Sequence, residues 1–330
     1  MTHPRRLALF AIALGVCSPA SLASGSGAPV PTAQSGRVGV IAPGGDERFT
    51  TRRGAHGDTI LSVTRRGTTV RTRRIPGRWG IPAATVSGGT TGLSADGSTL
   101  VLARVTRTFP PQRTRLLVVN ADTLRPKLEI PLSGFFTIDA VSPDGRSAYL
   151  IQYASDDPLD YRVRALDTAA GRLVAKDVVD PRKPDEKMGG MPFTRATSPG
   201  GRWVYTLYGG GSETFIHALD TVGRTAACID LEMLPPQSDL TFVQLRVRGD
   251  RVLVRESGEL IAAVDRTSFA VHEPGAPDEA AAPARRPAPA PDDGFPWPAV
   301  LIAAAGLGAA GVVAARLLSR PPAAGSPPRA

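Results

Sequence analysis

A short turn phrase recurs five times along the chain and constrains its fold more than any other feature. Its spacing is close to fifty residues, which is the range of repeat architectures. β-Branched and aromatic runs flank the phrases, and glycine supplies the positive φ that tight turns need. The repeat therefore predicts strands joined by turns. The copies are Ala42-Pro43-Gly44-Gly45, Ser94-Ala95-Asp96-Gly97, Ser142-Pro143-Asp144-Gly145, Ser198-Pro199-Gly200-Gly201 and Val247-Arg248-Gly249-Asp250.

Each repeat predicts a unit of four strands, named a to d from the inside outwards. A second turn phrase lies between strands c and d: Asp122-Thr123, Asp167-Thr168, Asp220-Thr221 and Asp265-Arg266-Thr267, with Arg65-Arg66-Gly67 in the first unit. One unit is too small to bury its own apolar faces, so the units must stack. Four-stranded units arranged radially form a β-propeller. We expect an all-β propeller of about five four-stranded blades, at 36–75, 84–131, 135–179, 192–231 and 240–272.

A family resemblance follows from the third repeat. The run from Ser142 to Leu150, followed by Arg164-Ala165-Leu166-Asp167-Thr168, resembles the YVTN-type propeller repeat of bacterial and archaeal surface proteins. It is also similar to the periplasmic TolB-like propellers. The resemblance implies an architecture and no particular activity, because propellers host many unrelated functions.

Both ends of the chain predict secretion and anchoring. Arg5 and Arg6, an apolar core and Ser21-Leu22-Ala23 are typical of a signal peptide, against an amphipathic first helix as the alternative. Near the C-terminus, a charge-free apolar run between interfacial aromatics and arginines predicts a single transmembrane helix, against a buried soluble helix. The predicted segments are a signal peptide (1–23), a spacer (24–35), the propeller ectodomain (36–272), a Pro/Ala-rich stalk (273–297), the transmembrane helix (298–318) and a cytoplasmic tail (319–330). The bulk of the chain is therefore expected outside the cell membrane.

The net charge of +9 does not indicate nucleic-acid binding. Five of the 39 basic residues lie in the predicted signal peptide, transmembrane helix and tail, so 34 remain against 30 acidic residues. One local excess stands out in the first unit, and it fits either an anionic lipid, polymer or protein partner or simply outward-facing arginines. Its members are Arg52, Arg53, Arg65, Arg66, Arg71, Arg73, Arg74 and Arg78, opposed by Asp58. Cys228, alone after signal cleavage, is expected to be a buried thiol rather than a reactive one.

The long connections are all predicted on one rim of the propeller, where loops on a rigid scaffold commonly bind partners. Trp79 is predicted either as an anchor for a partner or as a plug in its own blade junction. The stretch from Asp156 to Asp160 predicts either a cation ligand or a solvated acidic turn. The candidate binding residues are Arg78, Trp79, Asp156, Asp157, Asp160, Arg182, Lys183, Lys187, Met188, Glu232 and Gln237.

No catalytic motif is recognised, and no catalytic residue, metal site or cofactor is predicted. His56, His217 and His272 are not at metal-ligand spacings, and His217 falls on a predicted c strand away from the axis. The sequence therefore favours a membrane-tethered binding module for an envelope or secreted protein, or for a cell-wall polymer. The alternative is an extracellular propeller lyase or hydrolase acting on a small substrate.

Overall fold

The computed structural model describes residue 33 and residues 36–153, 160–186 and 188–275. Over these residues, twenty strands form five four-stranded antiparallel sheets, each a meander of consecutive strands. We call the sheets blades 1 to 5 in chain order. The predicted all-β fold with five four-stranded units is confirmed, and the arrangement is consistent with a β-propeller.

The strand bounds follow the repeat. Blade 1 contains β1 (Gly36–Ile41), β2 (Glu47–Arg53), β3 (Thr59–Arg65) and β4 (Thr68–Ile75). Blade 2 contains β5 (Trp79–Gly80), β6 (Thr99–Arg104), β7 (Arg113–Asn120) and β8 (Pro126–Ser133). Blade 3 contains β9 (Phe135–Val141), β10 (Ser147–Tyr153), β11 (Tyr161–Asp167) and β12 (Arg172–Asp177). Blade 4 contains β13 (Met191–Thr197), β14 (Trp203–Gly209), β15 (Phe215–Asp220) and β16 (Thr225–Asp230). Blade 5 contains β17 (Val243–Arg248), β18 (Arg251–Glu256), β19 (Glu259–Asp265) and β20 (Val271–His272).

Short 3-10 turns occupy Pro199–Gly201 and Leu240–Phe242. The predicted signal peptide, the transmembrane helix, the cytoplasmic tail and all but the first residues of the stalk lie outside the described residues. Within the described ranges, no helix has the length and apolar character that a bilayer crossing requires.

The repeated phrase is a turn closed by its own side chains. In blade 3, the Ser142 hydroxyl donates to Asp144 Oδ1 at 2.7 Å and accepts from the Ser147 amide at 2.9 Å. Asp144 Oδ1 also accepts from the Arg146 amide at 3.0 Å, while Gly145 takes a φ of 70°. Serine and aspartate favour this local bonding and glycine permits the backbone, and the Ser94–Asp96 copy in blade 2 closes in the same way.

The second turn phrase is bonded to the first. Thr168 Oγ1 donates to the Gly145 carbonyl at 2.6 Å, and Thr221 Oγ1 donates to the Gly201 carbonyl at 3.0 Å. The a–b and c–d turns therefore lie on one side of the molecule, which we call the short-turn face. The b–c loops and d–a links lie at the opposite ends of the strands, on what we call the long-loop face.

Neighbouring blades pack through four apolar clusters. One joins blades 1 and 2, and three others join blades 2 and 3, blades 3 and 4, and blades 4 and 5. Tyr149, Tyr205 and Tyr208 are among the largest fully buried side chains. In the part of the chain that the structure describes, no apolar cluster joins blade 5 to blade 1.

The two end blades differ from the middle three in how their strands are buried. Strands β6, β9, β10 and β14 carry continuous runs of buried residues, as expected for sheets covered on both faces. Strands β2, β3, β17 and β18 instead alternate between buried and more exposed positions. Blades 1 and 5 are therefore each packed on one face and open to solvent on the other, where Ile41 is 50% exposed.

Blade 2 departs from the prediction in its innermost strand. The blade begins at Trp79 rather than at residue 84, because Trp79 and Gly80 pair with Arg104 and Ala103 of β6. The connection from β5 to β6 is therefore long, although all a–b connections were expected to be short. It contains an excursion over residues 81–91, which we call the central hairpin.

The central hairpin reaches across the middle of the molecule. The amides of Val86 and Ser87 donate to the carbonyls of Pro192 and Phe193 in β13, at 2.9 and 3.2 Å. The Thr90 hydroxyl donates to the Gly39 carbonyl in β1 at 2.7 Å. This excursion of blade 2 thus connects blades 1 and 4 and fills part of the centre.

Candidate functional site

The predicted rim residues separate into two groups on the long-loop face. Arg78 and Trp79 lie at blades 1 and 2, whereas Asp160, Arg182, Lys183 and Met188 lie at blades 3 and 4. Glu232 and Gln237 lie in the link after β16. Asp156, Asp157 and Lys187 lie outside the described residues, and so does most of the proposed cation loop.

Trp79 is buried, with 3% of its surface exposed. Its amide donates to Thr59 Oγ1 at 2.7 Å, and its indole Nε1 donates to the Pro76 carbonyl at 2.8 Å. The Arg104 guanidinium lies 5.1 Å from the centre of the Trp79 ring. The Trp79 ring packs in the apolar cluster between blades 1 and 2, which is the second of the two predicted roles. Little of the ring is left for contact with a partner.

A groove lies between the outer parts of blades 3 and 4, and we call it the 3–4 groove. Its main cavity has a volume of about 310 Å³. A smaller pocket of about 60 Å³ shares Glu186, Met188 and Cys228 with it. Three predicted rim residues, Asp160, Lys183 and Met188, therefore line one concave site.

One wall of the 3–4 groove is fixed by a buried carboxylate. Asp180 accepts from the Cys228 amide at 2.9 Å, and its Oδ2 lies 2.6 Å from Arg182 Nη2. Burial raises the pKa of Asp180, but the hydrogen bonds from Arg182 and Cys228 outweigh it and lower the pKa to about 2. Asp180 therefore stays ionised and anchors the 180–186 segment to β16.

Lys183 is also occupied within the chain. Its ammonium lies 3.2 Å from Asp230 Oδ2 and 3.2 Å from Glu186 Oε1. The hydrogen bond with Asp230, followed by the one with Glu186, raises the pKa of Lys183 to about 12. Two of the predicted basic contact residues, Arg182 and Lys183, thus brace the groove.

The electrostatic character of the 3–4 groove is acidic. Its two pockets are lined by seven carboxylates and two basic side chains. Asp185 and Glu213 are exposed, and neither pairs with a cation among the described residues. The carboxylates are Asp160, Asp177, Asp180, Asp185, Glu186, Glu213 and Asp230, and the basic residues are Arg162 and Lys183. Such a surface favours a cationic ligand.

Aromatic rings support the groove from below. Tyr161 and Phe215, which line its two pockets, both lie near Tyr208, with ring centres 5.6 and 5.4 Å away. Tyr153 extends the row from Tyr161 to Phe135, against which it stacks at 4.5 Å.

Cys228 is half-buried and lines both pockets of the groove, so it is less enclosed than the buried thiol that the sequence predicts. Burial raises the pKa of its thiol to about 12, so the thiol stays protonated.

A second cavity, which sequence reasoning did not identify, opens at the centre of the short-turn face. It has a volume of about 560 Å³ and is lined by the turn phrases of blades 1, 2 and 4 and by Thr90 and Thr91 of the central hairpin. Arg195 contributes from β13 and forms an ion pair with Asp139. The cavity depends on the central hairpin, whose path is set by contacts distant in sequence.

His217 lies on β15, the third strand of blade 4, as predicted from its position in the repeat. It is fully buried, and neither ring nitrogen has a hydrogen-bond partner. Burial lowers the pKa of His217.

Over residues 33, 36–153, 160–186 and 188–275, no group of three His, Cys, Asp or Glu side chains is arranged to hold a metal ion.

Comparisons with known proteins give similarity at a low level. No protein-family model matches the chain, and no curated protein matches it. The chain is similar to Kuenenia stuttgartiensis hydrazine synthase, at 15% identity and a TM-score of 0.44, covering 71% of this chain and 70% of that one. TolB from Acinetobacter baumannii shares 13% identity at a TM-score of 0.38, covering 68% of this chain and 50% of TolB. BamB from Moraxella catarrhalis shares 19% identity at a TM-score of 0.38, covering 70% of this chain and 62% of BamB.

The chain thus matches about half of the TolB chain and less than two thirds of the BamB chain. At these identities and TM-scores, the likenesses assign neither a family nor a function. The propeller arrangement rests on the five sheets themselves.

Proposed function

We propose that the chain is a membrane-tethered binding module whose 3–4 groove holds a cationic segment of an envelope or secreted protein. The observation that carries the proposal is the groove itself, an acidic concave surface on two packed blades. Its walls are fixed by the ion pairs of Asp180 and Lys183, so little ordering is needed when a partner binds.

The partner's chemistry follows from the groove's charge. Asp185 and Glu213 offer exposed carboxylates that are not engaged by cations of the described residues. A lysine or arginine side chain bound at either carboxylate would gain charge-assisted hydrogen bonds. At Glu213, its aliphatic stem would contact Met188 and Phe215, which line the same pocket. A polyanionic cell-wall polymer would be repelled by this site.

The tether is proposed on the sequence alone. A signal peptide over 1–23 and an apolar run over 298–318 favour a single-pass protein, and the Pro/Ala-rich residues 273–297 favour an extended linker. Protease accessibility of a C-terminal epitope in intact and permeabilised cells tests this part. Cleavage of the epitope in intact cells would contradict a cytoplasmic tail.

The groove is tested with the detergent-solubilised full chain and labelled peptides. Fluorescence anisotropy should show that an oligolysine peptide binds more tightly than an oligoglutamate peptide of equal length. The double variant Asp185→Lys/Glu213→Lys should weaken oligolysine binding roughly tenfold or more, equivalent to about 1.4 kcal/mol. The matched control is Asp46→Lys/Asp122→Lys, which reverses two exposed carboxylates on short-turn connections. Equal losses in the two double variants would show that net charge, and not the groove, governs binding.

A photo-crosslinking residue at Ser212 then tests for a protein partner in intact cells. Ser212 is exposed and lines the smaller pocket of the groove. Capture should depend on Glu213 and fail from a probe at Asp122. A probe that captures the same proteins from both positions would count against the groove.

A further inference from the structure

We infer that the long-loop ends of blades 1 and 2 form a cationic surface that docks onto anionic phospholipid of the membrane. This inference rests on the proposed tether, and it concerns a different region from the 3–4 groove.

The surface is built from three segments that meet at one end of the two blades. They are the b–c loop of blade 1 after β2, the link between β4 and β5, and the b–c loop of blade 2 between β6 and β7. Register brings them together: Arg52 pairs with Ile60 and Ile60 with Arg74, while the Val105 amide donates to the Arg78 carbonyl at 2.9 Å.

Positive charge dominates this surface. Seven arginines lie in the three segments or in the strand ends that adjoin them, and Asp58 is the acidic residue among them. Asp58 is largely buried and pairs with Arg74 at 3.1 Å. No ion pair is found for the other six arginines within the described residues. The seven are Arg52, Arg53, Arg74, Arg78, Arg104, Arg107 and Arg113.

An exposed apolar side chain lies in the same b–c loop as part of this charge. Phe109 lies in the loop between β6 and β7, flanked in sequence by Arg107 and Arg113, and is 56% exposed. Its ring is nearly perpendicular to the Phe135 ring, with the ring centres 5.3 Å apart, and this contact supports the loop. A bulky exposed aromatic ring among cations suits the boundary between headgroups and acyl chains, where the ring enters and arginines bind phosphates.

The direction of the chain favours the membrane over a soluble polyanion. The b–c turn of blade 5 lies on the long-loop face, so strand β19 begins there and runs away from that face. Strand β20 is antiparallel to β19 and therefore runs back towards the long-loop face. Strand β20 ends at His272, and the predicted transmembrane segment begins at 298. The cationic surface therefore lies on the face at which the last described strand ends.

The test uses the full chain with Cys228→Ser and a polarity-sensitive fluorophore on Thr108→Cys, reconstituted into lipid nanodiscs. In phosphatidylglycerol-rich discs, we expect a blue-shifted emission and quenching by spin-labelled lipid, and neither in phosphatidylcholine discs. The triple variant Arg53→Gln/Arg107→Gln/Arg113→Gln should lose both signals. The matched control Arg66→Gln/Arg146→Gln/Arg248→Gln, which removes three exposed arginines of the short-turn face, should keep them.

Three outcomes would overturn the inference: identical signals in the two lipids, equal losses in the control, or a fluorophore that responds to soluble polyphosphate but not to the lipid. If the chain does not enter discs at all, the tether is wrong. Flotation of the same chain with vesicles of the two lipids then tests docking by itself. Each neutralised arginine should weaken binding to the anionic vesicles roughly fivefold, since a basic residue near such a surface contributes about 1 kcal/mol.

Discussion

Arg195 and Asp139 form a buried ion pair between the innermost strands of blades 4 and 3, with Nη2 and Oδ1 2.5 Å apart. Their side chains are 10% and 2% exposed. Arg195 also donates to the Asp139 carbonyl at 2.6 Å and to Thr206 Oγ1 at 3.1 Å. The pair thus ties the two blades together next to the axial cavity.

Replacing Arg195 with methionine should destabilise the protein strongly. The change leaves the Asp139 carboxylate buried without its partner, which costs about 3–5 kcal/mol. Chemical denaturation of the full chain measures the loss. Arg115→Met, which breaks the exposed pair with Glu129, should cost about 0–1 kcal/mol. Similar losses for the two variants would show that the buried pair contributes little beyond a surface pair.

Gly145→Ala should destabilise the chain more than Gly249→Ala does. Both glycines have positive φ, at 70° and 59°, so both variants bear the backbone strain. A Cβ on Gly145 would lie 2.4 Å from the Thr99 side chain of blade 2, whereas one on Gly249 meets nothing within 4 Å. We expect an additional loss of about 1–3 kcal/mol at Gly145 from overpacking, measured by thermal or chemical unfolding. Equal losses would mean that Thr99 moves aside freely.

Acidification below the ordinary histidine pKa of about 6.5 should destabilise the folded chain through His217. Burial lowers the pKa of His217 in the folded state, so the unfolded state binds the extra proton first. The free energy of unfolding therefore keeps its full value above the unfolded-state pKa of about 6.5. Below that pH it falls by up to about 1.4 kcal/mol per pH unit, until the folded-state pKa is passed. The wild type should show this slope and His217→Leu should lose it, while His56→Gln, at an exposed histidine, should keep it. A slope unchanged in His217→Leu would contradict the assignment.

Trp79→Ala should lower stability by about 3–5 kcal/mol, because the ring fills the junction of blades 1 and 2. Phe109→Ala removes a largely exposed ring and should change the free energy of unfolding by about 0.5 kcal/mol or less. Urea titration of the two variants compares them. A small change in the free energy of unfolding on Trp79→Ala would instead support the predicted role of Trp79 as a partner contact.

The parts of the fold that the sequence predicts well are those that depend on local chemistry. Ser142, Asp144 and Gly145 close their turn with bonds inside six residues, so the phrase marks the blade wherever it occurs. The central hairpin was not predicted because it depends on Pro192 and Phe193, about a hundred residues away. The length of the link around residues 180–188 predicts that it lies on the long-loop face. The ion pair between Lys183 and Asp230 was not predicted, because it depends on the register of β16.

The periodicity of apolar residues along single strands is a further signal in the sequence. The run Val243-Gln244-Leu245-Arg246 alternates apolar and polar residues, whereas Leu100-Val101-Leu102-Ala103 is continuously apolar. Alternation is typical of a sheet with one wet face, and a continuous run is typical of one covered on both sides. The two patterns separate the end blades from the middle blades.

The one-sided packing of blade 5 has a mechanical consequence. In the described residues this blade shares an apolar cluster with blade 4 alone, and its outermost strand, β20, spans Val271–His272. Tension arriving from the C-terminal side meets that two-residue strand first. Since the clusters among blades 1 to 4 contain no residue of blade 5, its detachment would leave those three interfaces complete, and the array would come apart from one end instead of all at once.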